Sequence, residues 1–145
     1  MVLIELDADT MRVRIGGYWV SHDSGRLINP TIVEGQIQGA VALGLGSALF
    51  EEIRYDAAGQ PLAATYMDYA LPRSDDVPPM QIDHLETPSP LNPLGLKGVG
   101  ESGTLPVAAV VASAVEDALA PRGIRVEQMP LTPAALRRLL LPELG

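Results

Sequence analysis

The sequence predicts an α+β fold: a mixed, mainly antiparallel sheet packed with two main helices and a short C-terminal helix. Val2–Leu6 and Met11–Ser21 are rich in apolar and β-branched residues, and Met80–Glu86 alternates apolar with polar as a half-buried strand does. Apolar residues recur at helical spacing over Thr31–Glu52 and again over Leu105–Leu119. Thr132-Pro133 then opens a brief amphipathic run through about Leu141, proline being well tolerated at the first helical position.

Taken in order, Asp7-Ala8-Asp9-Thr10 is the turn between the first two strands, and Gly16-Gly17 marks a bulge or bend inside the second. His22–Pro30 is a loop by its turn residues, and Asn29-Pro30 is a favourable place to begin a helix. Thr31 is the expected N-cap, with Glu34 at capping-box spacing. Ile37, Val41, Leu45 and Ala48 should face the core, while Gly35, Gly39, Ala42 and Gly46 line one side as a smooth stripe. Each interior glycine costs about 1 kcal/mol relative to alanine, so something should press close to the backbone there. On spacing alone the simplest occupant is a neighbouring helix or sheet. Ile53–Asp56 and Pro61–Ala64 read as a hairpin around Gly59, Tyr66–Pro72 as extended chain and Ile124–Val126 as a short strand.

Composition narrows the function. The 145 residues read as a single domain, 1–145, and are enough for a substantial core. A net charge of -8 without any basic stripe argues against nucleic acid and anionic membranes as partners. With no cysteine there is no disulfide, no thiolate metal site and no iron–sulfur cluster held by this chain. The two histidines, His22 and His84, lack zinc-ligand spacing and read as surface or loop-ordering residues. The N-terminus has no basic region ahead of its apolar residues and no apolar stretch is long enough for a membrane span, so a cytoplasmic location is the expectation.

The chain is organised around Pro88–Gly103. Its first half carries prolines 88, 90 and 93, which exclude helix and central strand; its second half carries glycines 95, 98, 100 and 103. Glu101 stands among those glycines ahead of an apolar helical run. Gly98-Val99-Gly100-Glu101-Ser102-Gly103 satisfies the G-x-G-x-x-G pattern, but it follows a proline-rich segment instead of a strand, so the dinucleotide-fold reading is rejected. Lys97 precedes Gly98 and no Gly-Lys-Ser/Thr occurs, which excludes a phosphate-binding P-loop. Ser102 lacks the nucleophile elbow of a serine hydrolase. A hydrolase pairing Glu101 with Asp23 or Asp68 finds no support in their spacing. Glu101 is left with two readings. Either it complements the dipole of the helix that follows, or it is a general base on a stiff turn, burial lifting its proton affinity toward neutrality.

Thr87–Glu101 closely resembles the loop near the C-terminus of the large subunits of molybdenum hydroxylases, the xanthine dehydrogenase, aldehyde oxidoreductase and carbon monoxide dehydrogenase family. The similarity continues in order through Asp23-x-Gly25, Ile28-Asn29-Pro30, Glu34-Gly35-Gln36-Ile37-x-Gly39, Gly44-x-Gly46, Glu51-Glu52, Tyr69-x-Leu71-Pro72 and the tail from Asp117-Ala118-Leu119 through Pro130-Leu131-Thr132-Pro133. It implies that the chain corresponds to the C-terminal part of the second molybdopterin-binding domain, with molybdopterin, in some members as its cytosine dinucleotide, as cofactor. It implies that Glu101 is the active-site base for hydroxylating an aldehyde, N-heterocycle or related small substrate with water-derived oxygen. By the same comparison Lys97, Gly98, Val99 and Gly100 lie against the cofactor, and Gln36 hydrogen-bonds it near a helix N-terminus, a favourable place for an anion. Partners implied are the remainder of the large subunit and the subunits that carry FAD and iron–sulfur clusters. Family large subunits are several times longer than this chain, so alone it should form a wall of a site. A rival of another class is a non-catalytic remnant, an interaction module that docks onto the rest of the enzyme.

Overall fold

A computed structural model describes residues 1–140. β1 (Val2–Leu6) and β2 (Val13–Asp23) pair antiparallel. In the turn between them the Asp7 carboxylate accepts the N–H groups of Thr10 and Asp9, each at 2.9 Å, which holds its carboxyl below the ordinary aspartate range. Leu3 faces Gly17 whereas Ile4 faces Ile15, so Gly16 is the extra residue of a bulge, where the glycine pair predicted one.

α1 (Pro30–Leu49) and the irregular chain after it carry the backbone across to β3 (Met80–Leu85), which joins the other edge of β2 in parallel. A parallel neighbour needs such a crossover, and α1 supplies it. The sheet β1-β2-β3 is therefore mixed, one pairing of each kind.

α1 begins two residues earlier than expected, its N-cap being Asn29 in place of Thr31. Asn29 Oδ1 accepts the Ile32 N–H at 3.2 Å and Pro30 takes the first helical position. α2 (Val107–Ala118) leads through a 3₁₀ turn at Ala120–Arg122 to α3 (Pro133–Leu140); the Leu141 end expected for α3 lies outside the described residues. Ile37, Val41, Leu45 and Ala48 are fully buried, as their spacing predicted, against Val107, Val111 and Val115 of α2, Tyr18 of β2 and Leu136 of α3. Helices α1 and α2 touch closely: a β-carbon at Gly44 would lie 2.6 Å from Val107 Cβ.

Three expected extended segments take other forms. The hairpin at 53–64 is reduced to a single bridge, Tyr55 with Pro61, because Asp56 closes the loop by accepting the N–H groups of Ala58 and Gln60. Thr65–Tyr69 is a turn, its Thr65 carbonyl accepting from Asp68 and Tyr69. Ile124–Val126 joins no sheet; the Val126 N–H donates to Glu116 Oε1 at 2.8 Å.

Candidate functional site

The Glu101 loop is built from its anchors. Asn92 folds its first half by accepting the Leu96 N–H on Oδ1 and donating from Nδ2 to the Leu96 carbonyl, both at 2.9 Å. Gly25 and Gly95 adopt positive φ (66° and 71°) where the loop crosses the end of β2. There the Gly95 carbonyl accepts from Arg26 at 3.0 Å and the Lys97 N–H donates to the Ser24 carbonyl at 2.9 Å. A β-carbon at Gly25 would lie 2.2 Å from the Gly95 oxygen, so the close crossing requires a residue without one.

The far side is anchored separately. Ser102 Oγ donates to the Val99 carbonyl at 3.2 Å, which makes it the acceptor of the 2.5 Å bond to His22 Nε2. His22 Nδ1 then accepts from the buried Ser24 hydroxyl at 2.8 Å, so the ring is assigned as the Nε2–H tautomer. Thr104 Oγ1 donates to the Ala40 carbonyl at 2.9 Å, and a β-carbon at Gly103 would meet Ala40 Cβ at 2.9 Å. Residues 103–104 thus rest on the middle of α1.

Between these anchors the predicted residues fall as follows. Val99 packs its side chain against the core, while Gly98 and Gly100 are exposed with nothing within 4 Å of where a β-carbon would stand. The Lys97 ammonium is taken by Asp23 at 2.6 Å and Thr87 at 2.5 Å. Glu101 is exposed, and its carboxylate makes no hydrogen bond or ion pair with the described residues. It does not cap α2: that helix starts at Val107, its N-cap is Pro106, and no side chain caps it. The burial expected around the carboxylate is not supplied by this chain.

Gln36 is also exposed, one helical turn before the Ala40 on which Gly103 rests, so it and Glu101 flank a common contact. Beside it the glycine stripe shows an unexpected property. Gly35 and Gly39 meet nothing within 4 Å, so no helix or sheet among the described residues packs there; of the stripe's glycines Gly46 is closely covered, by Glu51 and Pro72. Gly35, Gly39, Gly98 and Gly100 share two features, negative φ and open space, and neither backbone conformation nor packing within the chain calls for glycine at any of them. A bulky group held against the backbone does call for it, and Gln36, the seventh residue of α1, offers an exposed amide donor beside the open glycines. The residues present fit a pterin cofactor.

Other candidates are occupied. Asp23 Oδ1 accepts from Gly25 and Thr87 and its Oδ2 from Lys97 and Thr87; hydrogen bonds from Lys97, Thr87 and Gly25 hold its carboxyl well below the usual range. Asp68 accepts the Thr65 hydroxyl at 3.0 Å, and neither aspartate shares a hydrogen bond with Glu101 among the described residues. His84 lies on the α1 side of β3, both ring nitrogens buried without a hydrogen-bond partner among the described residues and Nε2 3.7 Å from Glu34 Oε1. Sequence reasoning missed the Ser24–His22–Ser102 and Asp23–Thr87–Lys97 groups as units. Their members are 64 to 80 residues apart in the long pairs, beyond any local pattern.

Residues 1–78 match the family described as "Molybdopterin cofactor-binding domain". The chain is 44% identical over 137 residues to the nicotine 6-hydroxylase large subunit of Paenarthrobacter nicotinovorans, covering 94% of this chain and 17% of that protein. It is 38% identical over 118 residues to the carbon monoxide dehydrogenase large chain of Afipia carboxidovorans, covering 81% of this chain and 15% of that one. Its fold superimposes on quinoline 2-oxidoreductase from Pseudomonas putida 86 with a TM-score of 0.92 at 45% identity, covering 96% of this chain and 18% of the other. The chain thus spans about a sixth of the length of these relatives. With a domain-family match over more than half its residues, the chain belongs to the molybdopterin-binding large subunits of the molybdenum hydroxylases.

Proposed function

We propose that this chain forms one wall of the molybdopterin site of a molybdenum hydroxylase and contributes Glu101 as the base of its reaction. The observation that carries the reading is the set of open glycines, Gly98 and Gly100 on the loop and Gly35 and Gly39 on α1, around an exposed carboxylate without a partner among the described residues. When bound, the cofactor, in its cytosine dinucleotide form by the family resemblance, supplies the two-electron oxidation and the site at which water enters the product. The chain's residues do the rest. Gly98 and Gly100 let the backbone approach the cofactor, Lys97 and Val99 hold that segment to the protein, and Gln36 donates to an anionic group of the cofactor. Glu101 takes the proton of the attacking water-derived oxygen at its carboxylate, and closure by the rest of the subunit excludes solvent and raises its basicity.

Residues 1–145 act as a single domain, the C-terminal part of the second cofactor-binding domain. The partners are the remainder of the large subunit and, for electron exit, the FAD and iron–sulfur subunits. Relatives at 44–45% identity are named for nicotine and quinoline, so an N-heterocycle is the first substrate class to assay, ahead of aldehydes. The rival reading, a remnant that docks without cofactor, covers the open glycines with protein instead, and cofactor analysis of the assembled protein separates the two.

The test is co-production of the chain with the upstream portion of a large subunit, followed by molybdenum and pterin analysis. The assembled protein carries cofactor, and Gly100→Val, whose added side chain meets open space in this chain, abolishes loading without lowering the stability of the chain itself. A Gly100→Val assembly that loads cofactor normally contradicts the reading.

A further inference from the structure

A dense polar cluster lies at the upstream end of the Glu101 segment. Asp23 Oδ1 accepts the backbone N–H groups of Gly25 at 2.8 Å and Thr87 at 3.2 Å. Its Oδ2 accepts the Thr87 hydroxyl and, at 2.6 Å, the Lys97 ammonium, which also donates to Thr87 Oγ1 at 2.5 Å. Three segments meet here: the end of β2, the chain just past β3, and the first residue of the glycine segment. Lys97 is held twice, because its own N–H donates to the Ser24 carbonyl at 2.9 Å. The downstream end of the segment is held by His22 on Ser102. Only Gly98, Val99, Gly100 and Glu101 span the gap, and both glycines are open to solvent. Between those ends Val99 is held to the core and the Glu101 carbonyl accepts the Thr104 N–H at 3.0 Å, so Gly98 is the flexible joint of the upstream half and its course depends on where Lys97 is fixed.

We propose that Lys97 is a positioning residue: the Asp23–Thr87–Lys97 clamp fixes the upstream end of the glycine segment and so sets where Glu101 stands, and the ammonium acts through Asp23 and makes no contact with the cofactor. This rests on the reading of Glu101 as the base. A lysine in such a loop invites assignment as an anion ligand. Here its charge is already neutralised by a carboxylate that also closes two backbone hydrogen bonds, so releasing it toward a cofactor breaks the clamp. Asparagine at position 23 keeps the Oδ1 acceptor for Gly25 and Thr87 and removes only the Oδ2 side, which makes it a sparing variant.

The test compares Lys97→Met, Asp23→Asn, their double variant and Lys97→Arg by three readouts. In the 145-residue chain, amide exchange at Arg26 and Lys97, whose N–H groups bond across the crossing, rises about tenfold in each single variant, the double variant goes no further, and Lys97→Arg restores most of the protection. In the assembled enzyme, molybdenum content stays within about twofold of wild type in both single variants, since neither removes a ligand. With the best substrate among nicotine, quinoline and benzaldehyde, kcat falls about 10- to 100-fold at unchanged KM, as for a misplaced catalytic group. Loss of molybdenum in Lys97→Met but not in Asp23→Asn overturns the proposal, because it marks a direct cofactor contact. So do additive effects in the double variant or unchanged exchange at Arg26 and Lys97. If Glu101 is not the base, Glu101→Gln turns over normally while the exchange and molybdenum results stand by themselves, so the two failures are separable.

Discussion

Replacing Gly35 and Gly39 of α1 together by alanine should stabilise the chain on its own and damage it as part of an enzyme. Both sit in the helix interior with negative φ, and an added β-carbon meets nothing within 4 Å at either. Nothing therefore offsets the helix-propensity gain of about 1 kcal/mol per site, or about 2 kcal/mol for the pair. With an unfolding entropy of about 2.1 cal/mol/K per residue over 145 residues, that raises Tm by about 6–7 °C. Thermal unfolding of the chain followed by circular dichroism measures the first effect. Molybdenum content and yield after co-production with the upstream portion measure the second, since two methyl groups now stand where the assembled enzyme brings another surface to the helix. A destabilised double variant refutes the open-face geometry. A stabilised variant that assembles and loads normally refutes the claim that this face receives anything.

Other outcomes follow from the same geometry. Gly44→Ala, on the opposite side of the helix, should lower stability by about 1–3 kcal/mol in urea titration, because its β-carbon would sit 2.6 Å from Val107 Cβ and Cγ2. His84→Phe should be neutral or stabilising by up to about 1–2 kcal/mol in the same assay, since it removes two buried ring nitrogens without partners. The folded-state pKa of Asp23 is depressed, so its contribution is present above the unfolded value near about 3.9 and is lost as pH falls through the folded one. The stability gap between wild type and Asp23→Asn should accordingly be constant from pH 7 to 5 and close only in more acidic solution. A gap that has already vanished at pH 6 would show that the Lys97 and Thr87 hydrogen bonds do not sustain it.

Much of the fold was legible because it is local. The helical period of Ile37, Val41, Leu45 and Ala48 identified the core face of α1, and Gly16-Gly17 identified the bulge. The N-cap was misplaced by two residues because Thr31 and Glu34 imitate a capping box, while Asn29 followed by Pro30 is the stronger start. Alternation in Met80–Leu85 showed a half-buried strand but carries no sign of direction, so its parallel pairing with β2 was hidden. The stripe of small residues was visible, and its occupant was not: spacing cannot distinguish a helix that packs on a neighbour from one awaiting a surface outside the chain. At the site, the proline–glycine loop announced Glu101. What steadies that loop was illegible, since His22 with Ser102 and Asp23 with Lys97 join residues 80 and 74 positions apart.

On the proposed function Glu101, exposed and without a partner among the described residues, becomes the base once the rest of the subunit closes over it. Glu101→Gln in the assembled enzyme tests it most directly, because the amide keeps the shape of the side chain and removes only its ability to take a proton. The account predicts wild-type molybdenum and pterin content with turnover reduced by about 10²- to 10⁴-fold. Turnover at or near the wild-type rate with full cofactor content would contradict it.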